Sequence, residues 1–267
     1  MLEKANRGGA DRGWAQFVSG WFGDLRVAAI LLTRLPIRHD GEISTAASRR
    51  SVHAFPVVGM GVGLVGAAVF LAASWIGVGS WLAALAAIGA TILATGALHE
   101  DGLADVADGF GGGADPAAKL AIMADSRIGS YGTLALILSV AVRVAAVAAL
   151  AGPGVAGAAL IAAHAVARGA VPVIMVRLIA VRPGGLAAAS GTPSGGGVAA
   201  ALALSAIVAF VVLGPLVGLL ALALAVVASG LIAALARRQI GGYTGDVLGA
   251  LEQSVEIAVL LAVVVAQ

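Results

Sequence analysis

Val198-Ala-Ala-Ala-Leu-Ala-Leu-Ser-Ala-Ile-Val-Ala-Phe-Val-Val-Leu-Gly214-Pro215-Leu-Val-Gly-Leu-Leu-Ala-Leu-Ala-Leu-Ala-Val-Val-Ala-Ser-Gly-Leu-Ile-Ala-Ala-Leu-Ala236 runs without one charged side chain. Gly214-Pro215 is a turn signal, and the apolar run on each side has about the length that crosses a bilayer as a helix. Seven such runs occupy 55–77, 81–98, 132–151, 155–180, 198–213, 216–236 and 247–266. With 60% hydrophobic and only 11% charged residues in a chain of 267, a soluble domain is excluded. The fold expected is all-α, a polytopic membrane bundle of about seven transmembrane helices. Gly, 38 residues in all, sits with Ala throughout the spans, so the helices should approach closely.

Residues 25–37 are apolar but too short to span, and they carry Arg26 and Arg34, so an amphipathic or re-entrant helix is expected there. Before it, residues 1–24 mix both charge signs, and Trp14 to Phe22 suits the headgroup layer. They read as an N-terminal cytoplasmic or interfacial segment, not a cleavable leader. Residues 25–267 then form one integral-membrane domain, with no fixed-period repeat. Cysteine is absent, which removes disulfides, thiolate metal sites and a thiol nucleophile.

Charge placement sets the expected orientation. The connections at 78–80, 152–154 and 214–215 and the C-terminal end hold no Lys, Arg, Asp or Glu. The opposite connections hold Arg34, Arg38, Arg49, Arg50, Lys119, Arg127, Arg182, Arg237 and Arg238. By the positive-inside rule that face and the N-terminus are cytoplasmic. Every polar loop then shares one surface, as a membrane enzyme needs, whereas a two-sided conduit should carry polar groups along a path to both faces.

The longest polar connection, 99–131, opens with Gly96-Ala-Leu-His-Glu-Asp-Gly-Leu-Ala-Asp-Val-Ala-Asp-Gly109. On a helix Asp101, Asp105 and Asp108 form one stripe ~10 Å long. Like charges so placed call for a cation, and Mg²⁺ favours carboxylate oxygens together with substrate phosphates. The plain alternative is a solvated acidic loop. Gly111-Gly-Gly113 and Asp115-Pro116 should end the stripe. A second phrase, Met123 to Gly132, holds Arg127, able to fork onto phosphate oxygens, and Asp125, which would add a ligand or orient that Arg. An ordinary interfacial Arg is the alternative. A third, Gly241-Gly-Tyr-Thr-Gly-Asp246, either contributes to the site or simply caps the last helix through Thr244.

Within the spans, Glu252 and Glu256 stand one turn apart, and Arg143, Arg168 and His164 lie near the middles of two others. Buried membrane carboxylates need partners, so a polar network among these five is expected, structural or substrate-facing. His39 and His53 read as bland interfacial residues. The 182–197 loop, rich in Gly, Pro and Ser, offers few groups for chemistry.

With Leu32-Thr-Arg-Leu-Pro36 and Phe55-Pro-Val-Val-Gly59, these three phrases resemble, in order and over nearly the whole chain, the cobalamin synthase family. Its members are adenosylcobinamide-GDP ribazoletransferases of the vitamin B12 pathway. The resemblance implies a Mg²⁺-dependent, multi-pass transferase of the bacterial cytoplasmic (inner) membrane with a cytoplasmic active face. It would join adenosylcobinamide-GDP to α-ribazole, or α-ribazole 5′-phosphate, releasing GMP and giving adenosylcobalamin or its 5′-phosphate. On that basis Asp101, Asp105, Asp108 and Asp246 hold the metal, and Arg127, Asp125, Thr244 and Arg34 serve the substrate phosphates. His99, Glu100 and Asp105 are the catalytic candidates, with His99 or Glu100 deprotonating the attacking hydroxyl. The partners implied are these substrates and the lipid bilayer, not nucleic acid, with the oligomeric state open.

Rival readings are a CDP-alcohol phosphotransferase, a prenyltransferase, and a transporter or scaffold subunit. The first needs Ala-Arg after Asp-Gly, but Ala104 precedes Asp105 and no Arg follows. The second usually needs two aspartate motifs, and Thr244-Gly-Asp246 is a poor second.

Overall fold

The computed structural model describes residues 20–39, 41–182 and 190–267. Eleven α-helices occupy these residues: α1 (20–32), α2 (Thr45–Ser51), α3 (Phe55–Trp75), α4 (Ser80–Thr95), α5 (Leu98–Gly112), α6 (Pro116–Ile122), α7 (Ser130–Ala149), α8 (Pro153–Arg177), α9 (Gly195–Leu213), α10 (Pro215–Ile240) and α11 (Gly245–Val265). No strand occurs among the described residues. One isolated parallel bridge joins Ala180 to Tyr243.

Six helical segments are long and apolar enough to cross a membrane: 45–75, which joins α2 to α3 through one 3₁₀ turn, and α7, α8, α9, α10 and α11. The seventh expected span is broken. α4 and α5 pass only as a pair, bent by 90°. The bend falls on Gly96 (φ 65°) and Ala97 (φ 57°), two successive left-handed residues. Ala97 is the one non-glycine at positive φ among the described residues, so the chain spends backbone strain here to turn. The bulk of the 99–131 connection is helix, α5 with the aspartate stripe at the expected helical spacing and then α6. Gly113 ends α5, and Asp115 caps α6 by accepting from Ala118 N at 2.9 Å, with Pro116 starting the helix.

The outside is apolar: Leu93 is 79% exposed and Leu216 82%. Such a surface belongs against lipid. Inside, α8 is the central post, packed by α3, α9 and α11. Gly59 and Gly63 of α3 meet it backbone to backbone. A Cβ on Gly59 would sit 2.2 Å from the His164 carbonyl oxygen, and one on Gly63 2.6 Å from that of Leu160. This is the close small-residue approach expected from the composition. Arg177, read inside the fourth span (155–180), in fact ends α8 and stands at the charged end.

The short 25–37 stretch is helical to residue 32 and irregular beyond it. Of the expected interfacial segment, residues 1–19 lie outside the described residues. Trp21 stacks at a tilt on His53, ring centroids 5.9 Å apart.

Candidate active site at the charged face

α5 reaches its place because glycine clears the way. A Cβ on Gly102 would lie 2.8 Å from the Asp246 carbonyl oxygen, and one on Gly249 3.0 Å from that of His99. α5 therefore runs against the start of α11, bringing the aspartate stripe to Asp246. The charged neighbours acting most strongly on Asp105 are Asp246 and then Asp101, opposed by Arg182 and followed by Asp108. Asp101 is exposed and Asp105 half-buried. Four carboxylates thus share one field with one guanidinium.

Each member has a distinct setting. The Asp246 carboxylate accepts from the Thr244 hydroxyl at 3.1 Å and pairs with Arg182 at 3.1 Å. Thr244 also accepts from Val247 N, so it caps α11 as its position suggested, and its hydroxyl is fully used. Asp108 reaches across to α7, accepting from Gly129 N at 2.7 Å and Gly132 N at 2.9 Å. It caps that helix from outside, where an anion also complements the helix dipole. A Cβ on either glycine would fall 2.3–2.4 Å from the Asp108 carboxylate. The Gly129 and Gly132 of the second phrase are there to admit Asp108.

Among the described residues, no hydrogen bond or ion pair joins the side chains of Arg127, Asp125 or Arg34 to the four aspartates. Arg127 is exposed and clamped to Asp125 at 2.6 Å, the orienting alternative for Asp125. Hydrogen bonds from the Arg127 side chain and backbone N–H hold the Asp125 carboxyl down to about 2. Arg34 lies over the Gly96 bend, its backbone N–H donating to Ala94. Lys119 donates to the Gly113 carbonyl at the end of α5, closing α6 onto it.

His99 and Glu100 go elsewhere. About 200° and 100° back around the helix from Asp101, they point into the bundle, and the structure does not bring them to the aspartate face. There they join the expected network. Arg143 lies 3.0 Å from Glu100 and 3.4 Å from Glu256, and Arg168 lies 2.6 Å from Glu252. His99 is 3.7 Å from Glu252 and His164 3.4 Å from Glu256. Gln253 donates to both Glu100 and Glu252, and Ser139 donates to Gln253. His164, Glu252 and Glu256 bring ligand atoms within 4.8 Å of one another, and Arg168 sits against two of the three, 2.6 Å from Glu252 and 3.1 Å from His164 Nδ1.

Three functional residues escaped the sequence reading. Gln253, polar between two buried glutamates, was a signal in plain view. Ser139 was not, being one hydroxyl in an apolar run. Arg182 corrects the dismissal of the 182–197 loop: its guanidinium pairs with Asp246 and also reaches the Leu120 carbonyl. The bridge that sets it there, Val181 N to the Tyr243 carbonyl at 3.0 Å, depends on a contact far apart in sequence. Residues 183–189 of that loop lie outside the described residues.

Fold and site define an integral-membrane helix bundle with a carboxylate-lined centre at its charged face. The cobalamin-5-phosphate synthase family model matches residues 24–264, and the chain belongs to that family. It is 51% identical to the adenosylcobinamide-GDP ribazoletransferase of Bradyrhizobium diazoefficiens, over 89% of this chain and 92% of that one. It is 44% identical to the enzyme of the same name from Mesorhizobium japonicum, over 91% and 93%. With that from Rhizobium johnstonii the identity is 40%, over 91% and 96%. No solved structure matches the chain. Family membership sets aside the phosphotransferase, prenyltransferase and transporter rivals.

Proposed function

We propose that this chain transfers the phosphoryl-linked corrinoid of adenosylcobinamide-GDP to α-ribazole or its 5′-phosphate, releasing GMP. The work would be done at the charged face, which the positive-inside rule puts in the cytoplasm of a bacterium, on its cytoplasmic membrane. The observation that carries this chemistry is the charge imbalance of the aspartate face, where, among the described residues, Asp105 feels Asp101, Asp108 and Asp246 against one guanidinium, Arg182. The donor set is all hard oxygen, which fits Mg²⁺ and not a softer metal. Asp101, Asp105 and Asp246 would hold the ion, with Asp108 completing the field while it caps α7. Mg²⁺ bound there supplies neutralisation of the diphosphate and of the departing phosphate.

The protein's own residues do the rest. A ribose hydroxyl of the acceptor attacks the phosphorus on the corrinoid side of the diphosphate. The P–O bond to GMP breaks and its electron pair leaves with GMP. The hydroxyl proton passes to a carboxylate, and of the three catalytic candidates Asp105 is the one on the aspartate face. Arg182, paired with Asp246, meets the phosphate oxygens. Arg127, steadied by Asp125, presents a second guanidinium to them. His99 and Glu100 act at a distance, holding α5 through the buried network.

The test is incubation of purified protein in lipid with adenosylcobinamide-GDP, α-ribazole and Mg²⁺, following GMP and a corrinoid product. Wild type should release both, and Asp105→Asn, still inserted and folded, should release them on the order of 10²–10³-fold more slowly. Full turnover by Asp105→Asn would reject the site.

A further inference from the structure

On the side of α8 opposite His164 and Arg168, an open groove of about 570 Å³ runs between α8, α9 and α10. Its walls are apolar, with Val166, Leu202, Leu222 and Val226 among them. Two serines line it, but their hydroxyls are spent on backbone carbonyls of their own and neighbouring helices. Its charged end is different. Arg177, the last residue of α8, and Arg237, in the last turn of α10, converge there from two helices. Both are exposed, and among the described residues neither has an acidic partner or a side-chain hydrogen bond. From Val166 to Arg177 the groove follows α8 for ~16 Å, and from Leu222 to Arg237 it follows α10 for ~22 Å. A single leaflet's hydrocarbon is ~15 Å deep. The groove therefore runs from about mid-bilayer to the charged surface, and it opens sideways past Val226, 72% exposed.

An aqueous solute would gain nothing from such walls, and a wholly apolar molecule would leave two guanidiniums without a counter-charge. Basic pockets between helices at a membrane face suit anionic lipid headgroups. We propose that this groove is a binding site for one anionic phospholipid of the leaflet at the charged face. An acyl chain lies between α8 and α10, and the phosphate sits on Arg177 and Arg237.

The probe is phosphatidylglycerol against phosphatidylcholine of the same chains, offered in equal amounts to the detergent-purified protein and read by native mass spectrometry. Wild type should retain one phosphatidylglycerol in preference to phosphatidylcholine. Arg177→Gln and Arg237→Gln should each cut that preference about fivefold. Gly230→Leu should abolish retention with both arginines intact. Beside Gly230 an added Cβ meets nothing within 4 Å, so the leucine grows into the groove and not into backbone. An unchanged unfolding midpoint in detergent shows that each variant is folded, and the two arginine variants carry the test if Gly230→Leu is not. Equal retention of both lipids by wild type would overturn the proposal. So would wild-type retention by folded Gly230→Leu, or a groove filled by a second copy of the chain and seen as a dimer that Gly230→Leu dissolves.

Discussion

Two acidic clusters share helix α5 and end differently. Inside the bundle, Glu100, Glu252 and Glu256 face Arg143 and Arg168, with two histidines, Gln253 and Ser139 filling the gaps. At the charged face, Asp101, Asp105, Asp108 and Asp246 have, among the described residues, Arg182 as their one guanidinium. The inner cluster sets two guanidiniums of its own against three carboxylates, so most of its charge is matched from within. Several of its buried polar atoms, Glu256 Oε2 and His164 Nε2 among them, make no hydrogen bond among the described residues. The outer cluster is left short of positive charge, which is how a site made for an external cation and an anionic substrate should look. The difference lies in which neighbours the helices supply, not in the number of carboxylates.

The largest effect should come from breaking the paired inner cluster. Arg168→Ala strands Glu252, a fully buried carboxylate, and should cost about 3–5 kcal/mol of stability. Thermal unfolding in lipid nanodiscs would read it, and a loss below about 1 kcal/mol would mean that the network holds little together. At the aspartate face the same kind of change should spare the fold and remove activity. Asp105→Asn should lower kcat on the order of 10²–10³-fold, as loss of an electrostatic partner in a transition state does, with the unfolding midpoint unchanged or raised. A kcat near wild type, or a collapsed midpoint, would merge the two clusters into one structural class.

Asp108 belongs to both regions and sharpens the line between them. Asp108→Ala removes an external cap of α7 and should cost about 0.5–2 kcal/mol, measured in the same unfolding assay. The smallest effect concerns Asp125, whose carboxyl Arg127 holds down to about 2. A carboxyl lowered in the folded state adds stability above its unfolded range, near pH 4, and that contribution fades as pH falls through about 2. Asp125→Asn should therefore unfold slightly earlier than wild type at pH 7 and no earlier at pH 2. An equal gap at both values would sever the link to its charge.

Much of this division was legible in the residues. Asp101, Asp105 and Asp108 repeat at helical spacing, and ionisable groups in apolar runs at 143, 164, 168, 252 and 256 announce a paired interior. The spans were readable because the bilayer demands long apolar runs whatever the packing. Three things were not legible. The 90° bend rests on Ala97 holding a left-handed backbone, which its identity does not advertise. The inward turn of His99 and Glu100 depends on which face of α5 meets α11, fixed by the bare backbones of Gly102 and Gly249. Arg182 gains its role only because residue 180 bridges to 243, a pairing no local pattern contains.

The central claim is that the aspartate face takes a divalent cation and the buried network does not. Titration of Mn²⁺, standing in for Mg²⁺, followed by electron paramagnetic resonance on the protein in lipid, tests it most directly. Saturable binding should appear in wild type, persist in Glu256→Gln and vanish in Asp105→Asn. Binding that survives Asp105→Asn and is lost in Glu256→Gln would contradict it.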